Sequence, residues 1–280
     1  MAPQQGLLRR VRQMQAKAVS RVMLRVAGNG LGRRVVQGLG RSRVVERVMV
    51  GYRRGFSSMA EAEACAARLG VGGHTHPDAI RQHLELGESM RPSDGPAVEH
   101  LRRLLPEIGR VADVGGSAGN LFYLYSGQVE FPEGLVWTVY DLPETVKVGR
   151  SLAFDRRVTG LEFCTDLFGP VEADLMLLSG SLHFLEALPP EIMGGWKRRP
   201  KYVLVNRSPV SEEGGVYGLQ DQWTWMTAAK VLNRGDLVGG MGAAGYELVD
   251  EWGAAELRLM LPMRPQSSAA GYSGFLFRLR

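Results

Sequence analysis

The chain has 280 residues, enough for one large domain or a domain with an appendage, and its 45% apolar and 22% charged content is that of an ordinary globular protein. That composition excludes a disordered or collagen-like chain. No segment approaches the roughly 18 uncharged apolar residues of a membrane span. Two cysteines, Cys65 and Cys164, stand in no metal or disulfide spacing, which excludes zinc ribbons and disulfide-stapled modules and points to a reducing, cytoplasmic compartment. The net charge of +5 conceals an asymmetry: residues 1–54 carry 13 Lys and Arg against the single acid Glu46, a net of +12, whereas the other 226 residues carry 21 bases and 28 acids, a net of −7.

In residues 1–54, Leu7, Val11, Met14, Ala18, Val22 and Val26 recur at steps of three and four, and Arg9, Arg10, Arg12, Lys17, Arg21 and Arg25 take the opposite face. This spacing predicts a basic amphipathic helix, broken by Gly28, Gly30 and Gly32 and followed by a second basic helical stretch over 33–50. Such a helix suits three uses: docking its apolar stripe on its own domain, lying on anionic lipid at the inner membrane surface, or acting as a targeting segment. With no aromatic residues interleaved, nucleic-acid binding is not expected.

Residues 55–105 read as a helical cap or linker. Ser57 or Ser58 is placed to cap a helix through Leu69 with Glu61 in its first turn, and Pro77 with Asp78 starts a second helix to about Leu86. His74 and His76 lack a third ligand at metal spacing, so no metal is expected. Arg91-Pro-Ser-Asp-Gly-Pro96 is a turn-rich link to a helix over 97–105.

From residue 106 the pattern becomes strand, glycine turn, helix: Val111-Ala-Asp-Val114, then Gly115-Gly-Ser-Ala-Gly119, then Asn120-Leu-Phe-Tyr-Leu. The dinucleotide fingerprint fails in both registers, because Ser117 and Asn120, or Ala118 and Leu121, occupy its later glycines, and no lysine-bearing phosphate loop exists. Gly115-Gly-Ser-Ala-Gly119 does satisfy Gly-x-Ser-x-Gly, which keeps open a serine hydrolase with Ser117 as nucleophile, although the one histidine after it, His183, lies only 66 residues on.

The third use of the turn is acid-x-Gly-x-Gly-x-Gly, met by Asp113, Gly115, Gly119 and, in place of the middle glycine, Ser117. This resembles the first motif of class I S-adenosylmethionine-dependent methyltransferases. The strands downstream extend the resemblance. The strand Leu135–Tyr140 ends in Asp141, 22 residues after Gly119; Leu161–Thr165 ends in Asp166; Ala173–Ser179 and Lys201–Asn206 are apolar strands, and Tyr246–Trp252 with Gly274–Leu279 close the chain as a hairpin. Seven strands so arranged imply an α/β, Rossmann-like sheet over 106–280, mostly parallel with an antiparallel C-terminal edge, and a helical N-terminal extension. Over 51–280, Trp137-Thr-Val-Tyr-Asp-Leu-Pro143, Leu178-Ser-Gly-Ser-Leu-His-Phe-Leu185 and Asn206-Arg-Ser-Pro209 are together similar to a bacterial group of methyltransferases of largely undefined substrate, departing from it at Asp141, where Glu is expected, and at Asn206, where Asp is expected.

The resemblance implies S-adenosylmethionine as cofactor. Asp113, Gly115, Gly116, Ser117 and Gly119 would take its amino-acid end, Asp141 and Leu142 its ribose, Asp166 and Leu167 its adenine, and Ser179 the reacting region. His183, four residues beyond Ser179, is the candidate general base for a hydroxyl acceptor; Arg207 and Trp223 are candidates for binding a small-molecule or glycan acceptor. Trp223, Trp225 and Met226 are expected in a helix, and the glycines at 239, 240, 242 and 245 in a tight connection. A non-catalytic binding scaffold of the same fold, held at a membrane by the arm, is the remaining alternative.

Overall fold

A computed structural model describes residues 51–70, 72–87, 89–222, 225–258 and 271–280, with isolated positions 22, 26, 32 and 35. Those four positions are helical. Val22 and Val26, from the expected apolar stripe, are exposed, and Gly32, expected to break the helix, is helical and buried. The rest of residues 1–50 lies outside the described residues.

The sequence boundary at 54 falls inside a strand, β1 (Gly51–Phe56). Two helices come next, α1 (Met59–Leu69) and α2 (Pro77–Leu86). Ser58 caps α1 by accepting the Glu61 N–H, and Gly70 closes it in the left-handed conformation, as the capping residues predict. Helix α3 (Asp94–Leu104) begins three residues before its sequence estimate, because the Asp94-Gly-Pro turn is its first turn rather than a linker.

The Rossmann-like part runs β2 (Arg110–Val114), α4 (Asn120–Ser126), β3 (Val136–Tyr140), α5 (Pro143–Asp155), β4 (Leu161–Cys164), β5 (Leu175–Ser179), the short helix α6 (Pro189–Ile192) and β6 (Tyr202–Ser211). Strands β4, β3, β2, β5 and β6 are parallel neighbours in that order; β10 (Gly271–Leu279) joins β6 antiparallel, and β9 (Tyr246–Arg258) joins β10. These seven strands are the expected sheet with its antiparallel edge. Both faces are buried: Leu175, Leu177 and Leu204 pack with Leu101, Tyr125 and Trp137 on one side, and Met176, Leu178, Val203 and Val205 with Trp196, Met241 and Phe275 on the other. Continuous apolar runs are what such strands require.

Among the described residues the sheet has ten strands rather than seven. Strand β6 runs past the common edge, and its end (Val210, Ser211) pairs in parallel with Leu232 and Asn233 of β8 (Met226–Asn233), which pairs antiparallel with β7 (Val216–Asp221), which pairs with β1. The helix expected around Trp225 and Met226 is therefore the end of a hairpin turn and the start of β8. Because β8 is buried on almost every residue, its apolar run has no period to distinguish strand from helix. The glycine-rich connection expected before β9 is instead a helix, α7 (Arg234–Ala243), started by the Asn233 side chain, with only Gly245 at positive φ in the turn beyond it. Against β7 and β8 packs α1, through Met59, Ala62 and Cys65 on Leu219, Met226 and Ala228. Segment 72–86 reaches the hairpin tip: Met226 N–H donates to the Gly72 carbonyl (3.0 Å), and Gln82 accepts from the Trp225 indole (3.0 Å). The cap and the hairpin thus form one layer over the carboxyl ends of the parallel strands.

Candidate active site

The glycine turn leaves β2 with Gly115 at φ 70°, Ser117 at 58° and Gly119 at 89°. Gly115 also has no room for a side chain: a Cβ there would lie 2.4 Å from Cβ of Ser181, whose hydroxyl donates to the Val114 carbonyl. The loop after β5 is thereby clamped against the turn. Ser117, the departure from the glycine pattern, holds a left-handed conformation that costs an L residue about 1 kcal/mol. Its N–H donates to Asp141 Oδ2 at 2.8 Å, which offsets that strain.

Asp141 also accepts from Leu142 N–H (2.7 Å) and from the Thr145 side chain. Burial nevertheless outweighs these hydrogen bonds and raises its carboxyl above the ordinary range. The turn and Asp141, 24 residues apart, therefore meet directly. Both line a cavity of about 380 Å³, together with Leu142, Thr145, Thr165 and Leu167 on one side and Ser179, Gly180 and Ser181 on another.

Two predicted cofactor residues stand elsewhere. Asp113 is fully buried beneath the turn and is not part of the cavity lining. Its Oδ2 accepts from the Trp137 indole (3.1 Å), its Oδ1 has no partner, and a Cβ on Gly116 would lie 2.3 Å from the carboxylate. Burial pushes its pKa up to about 7 against the opposing Trp137 hydrogen bond. Asp166 is exposed and faces Gly169, where a Cβ would lie 2.2 Å from its Oδ2, so its neighbours Thr165 and Leu167 line the cavity in its place.

The structure places the predicted histidine away from the cavity. His183 is 3% exposed and does not line the cavity; its ring lies 4.0 Å from that of Phe184 and 6.1 Å from Tyr272. Burial, then His74 and Lys230, pushes its pKa down to about 3. A base is expected from the catalytic half on sequence grounds, yet the cap supplies the imidazoles. His74 and His83 border the cavity, and burial, then His83, holds His74 at about 3. Their one sequence signal is position: His74 sits two residues before His76, whose Nδ1 caps α2 by accepting the Asp78 N–H at 3.1 Å. Among the described residues no group of three metal-ligand side chains occurs.

Arg207 borders the cavity at φ 50° and donates to Asp94, a fully buried carboxylate that also accepts from Tyr125 Oη (2.8 Å), from Asn206 Nδ2 (3.4 Å) and, on its other oxygen, from Arg91 N–H (2.9 Å). This explains Asn206. An aspartate there would set a second buried carboxylate against Asp94, whereas the amide donates to Asp94 and accepts from the Trp252 indole at 3.2 Å. Arg91 also lines the cavity. Trp223 lies outside the described residues. The hydrolase arrangement is not formed: among the described residues no hydrogen bond joins Ser117 to an imidazole, and His183 lies off the cavity.

Among solved structures, the chain is similar to a 1,6-didemethyltoxoflavin-N1-methyltransferase of Burkholderia thailandensis, solved with 1,6-didemethyltoxoflavin and S-adenosylhomocysteine, at 18% identity over 82% of this chain and 93% of that one, with a TM-score of 0.51. It is also similar to an O-methyltransferase from neocarzinostatin biosynthesis, solved with S-adenosylmethionine and 2-hydroxy-5-methyl naphthoic acid, at 19% identity over 90% of this chain and 74% of that one, with a TM-score of 0.51. No family model and no curated protein matches the chain. The fold is that of the class I S-adenosylmethionine-dependent methyltransferases.

Proposed function

We infer that this chain binds S-adenosylmethionine and transfers its methyl group to an oxygen of a small molecule. The observation that carries the reading is the direct hydrogen bond between the glycine turn and Asp141, at the mouth of one cavity beyond the carboxyl ends of parallel strands. The residues present fit the cofactor. Asp141 would accept from the ribose hydroxyls, Leu142, Thr165 and Leu167 would flank the adenine, and the backbone of 115–117 with Arg91 would receive the carboxylate. Asp113, with an unpartnered oxygen behind a residue that has no side chain, would offset the ammonium group across Gly116.

The cofactor brings a methyl group on a sulfonium, so the donor needs no acid or metal from the protein. What the chain supplies is position and dryness. The layer of cap and hairpin covers the cavity, Ser181 locks the loop after β5 to the turn, and Lys230 Nζ ties that loop to β8 by donating to the Glu186 carbonyl at 2.7 Å. Oxygen is favoured as acceptor atom because His74, held neutral, borders the cavity with an unpartnered Nε2 able to accept from a hydroxyl. The scaffold alternative rests on residues 1–54, almost all outside the described set, and none of the described helices is long and apolar enough to cross a membrane.

Thermal-shift titration with S-adenosylhomocysteine tests the reading. Ligand at 100 times its dissociation constant is expected to add about 2.7 kcal/mol of stability, and no shift in the wild-type chain would overturn the assignment.

A further inference from the structure

We propose that the part of the cavity beneath α2 and Trp225 is an acceptor subsite for a flat aromatic ring bearing a hydroxyl group, with that hydroxyl donating to Nε2 of His74. The proposal rests on the methyltransferase reading and names the class of acceptor.

Three segments distant in sequence bring rings together here. His74, from the loop before α2, lies 5.4 Å from His83 of α2, 5.2 Å from Trp225 at the hairpin turn and 4.4 Å, edge to face, from Phe184 in the loop after β5. His74, His83 and Phe184 border the cavity, with Trp225 behind the two imidazoles. Burial keeps both imidazoles neutral, so this wall is aromatic and uncharged. Stacked and edge-on contacts to a planar guest suit such a wall.

The polar groups separate an aromatic guest from a sugar. Around the rings several polar side chains are already engaged within the protein: the Ser181 hydroxyl with the Val114 carbonyl, the Trp225 indole with Gln82, and the Asn120 amide with the His83 carbonyl. Arg207 is taken by Asp94, and Arg91 is grouped with that pair rather than with the rings. Among the described residues that line the cavity, His74 and Ser179 are the ones with a buried side-chain polar atom, Nε2 and Oγ, left without a partner. A sugar would bury several hydroxyls against this wall, each unpaired one lowering affinity roughly ten-fold or more. A hydroxylated aromatic ring presents one donor and needs one acceptor, which His74 Nε2 supplies.

The test is calorimetric titration of the full chain, with and without saturating S-adenosylhomocysteine, using 2-naphthol, its methyl ether 2-methoxynaphthalene, and methyl β-glucopyranoside. We expect 2-naphthol to bind, the glucoside not to bind, and the ether to bind about ten-fold more weakly than the naphthol. His74→Phe, which keeps a ring but removes the acceptor nitrogen, is expected to erase the naphthol–ether difference, and Phe184→Ala to weaken both. Unchanged affinity for S-adenosylhomocysteine certifies that each variant is folded, and His74→Leu serves if His74→Phe fails that check. Glucoside binding as tight as that of naphthol, or a naphthol preference that survives loss of His74, overturns the subsite. If the wild-type chain ignores S-adenosylhomocysteine, the methyltransferase reading falls, and naphthol binding to the cofactor-free chain still decides the ring subsite on its own.

Discussion

The cavity has two halves built on different plans. The half proposed for the cofactor comes from strand ends and the turns directly after them, within 114–117, 140–145, 165–167 and 179–181. Each piece is short, and parallel pairing of β2 with β3 and β5 fixes its position. The half proposed for the acceptor is assembled from residues 74, 83, 184 and 207, carried by a loop, a cap helix and an overlong strand, and held by contacts such as Gln82 to Trp225 across 143 positions. The first half is encoded locally, whereas the second is encoded in long-range packing.

Substitutions sharpen that contrast. The largest effect is expected at Arg207. Arg207→Met strips the counter-charge from fully buried Asp94 and is expected to destabilise the fold by about 3–5 kcal/mol in chemical denaturation. Trp137→Ala, a fully buried ring under the cofactor half, is expected to cost about 3–5 kcal/mol as well and to release the Asp113 carboxylate. Asp141→Ala is expected to abolish the shift of about 2.7 kcal/mol from S-adenosylhomocysteine while leaving naphthol binding in place. Loss of both ligands together would break the division into halves.

A pH series probes the buried carboxylate. Asp113 titrates near 7 in the folded chain against an ordinary value near 3.8, so the folded state holds the extra proton between those values, and the group withdraws stability as pH rises from about 4 to 7. His74 and His183, held near 3, act in the opposite sense, withdrawing stability as pH falls below about 6.5. Asp113→Asn is therefore expected to leave the histidine slope alone, so that denaturation midpoints rise with pH from about 4 to 6.5 more steeply than in the wild type. The smallest effect belongs to Ser117→Gly. Relief of the left-handed strain is expected to stabilise the chain by up to about 1 kcal/mol, with binding of S-adenosylhomocysteine retained.

The half proposed for the cofactor is legible in the sequence because its signals are local. An acid, three small residues at fixed offsets and a second acid at the end of the next strand state their own geometry, and Asp141 does meet the turn. The differences there concern direction rather than location: Asp113 and Asp166 stand where expected in sequence, but one faces down under Gly116 and the other toward Gly169. The acceptor half is far less legible. His183 is the one histidine of the catalytic half, yet the chain turns its ring behind Phe184. Strands β1, β7 and β8 escape a sequence reading, and in β8 near-complete burial removes the alternation by which a strand is recognised.

The amino-acid order by itself determined the parallel sheet, its antiparallel edge and the turn facing Asp141, since each depends on residues within one strand–turn–helix unit. Only the tertiary structure decided that the cap and an added hairpin close over that turn and bring His74, His83, Phe184 and Trp225 together. Which side chains meet across a hundred or more positions is set by packing and by the hydrogen bonds that remain to be satisfied, and neither leaves a periodic mark on the chain.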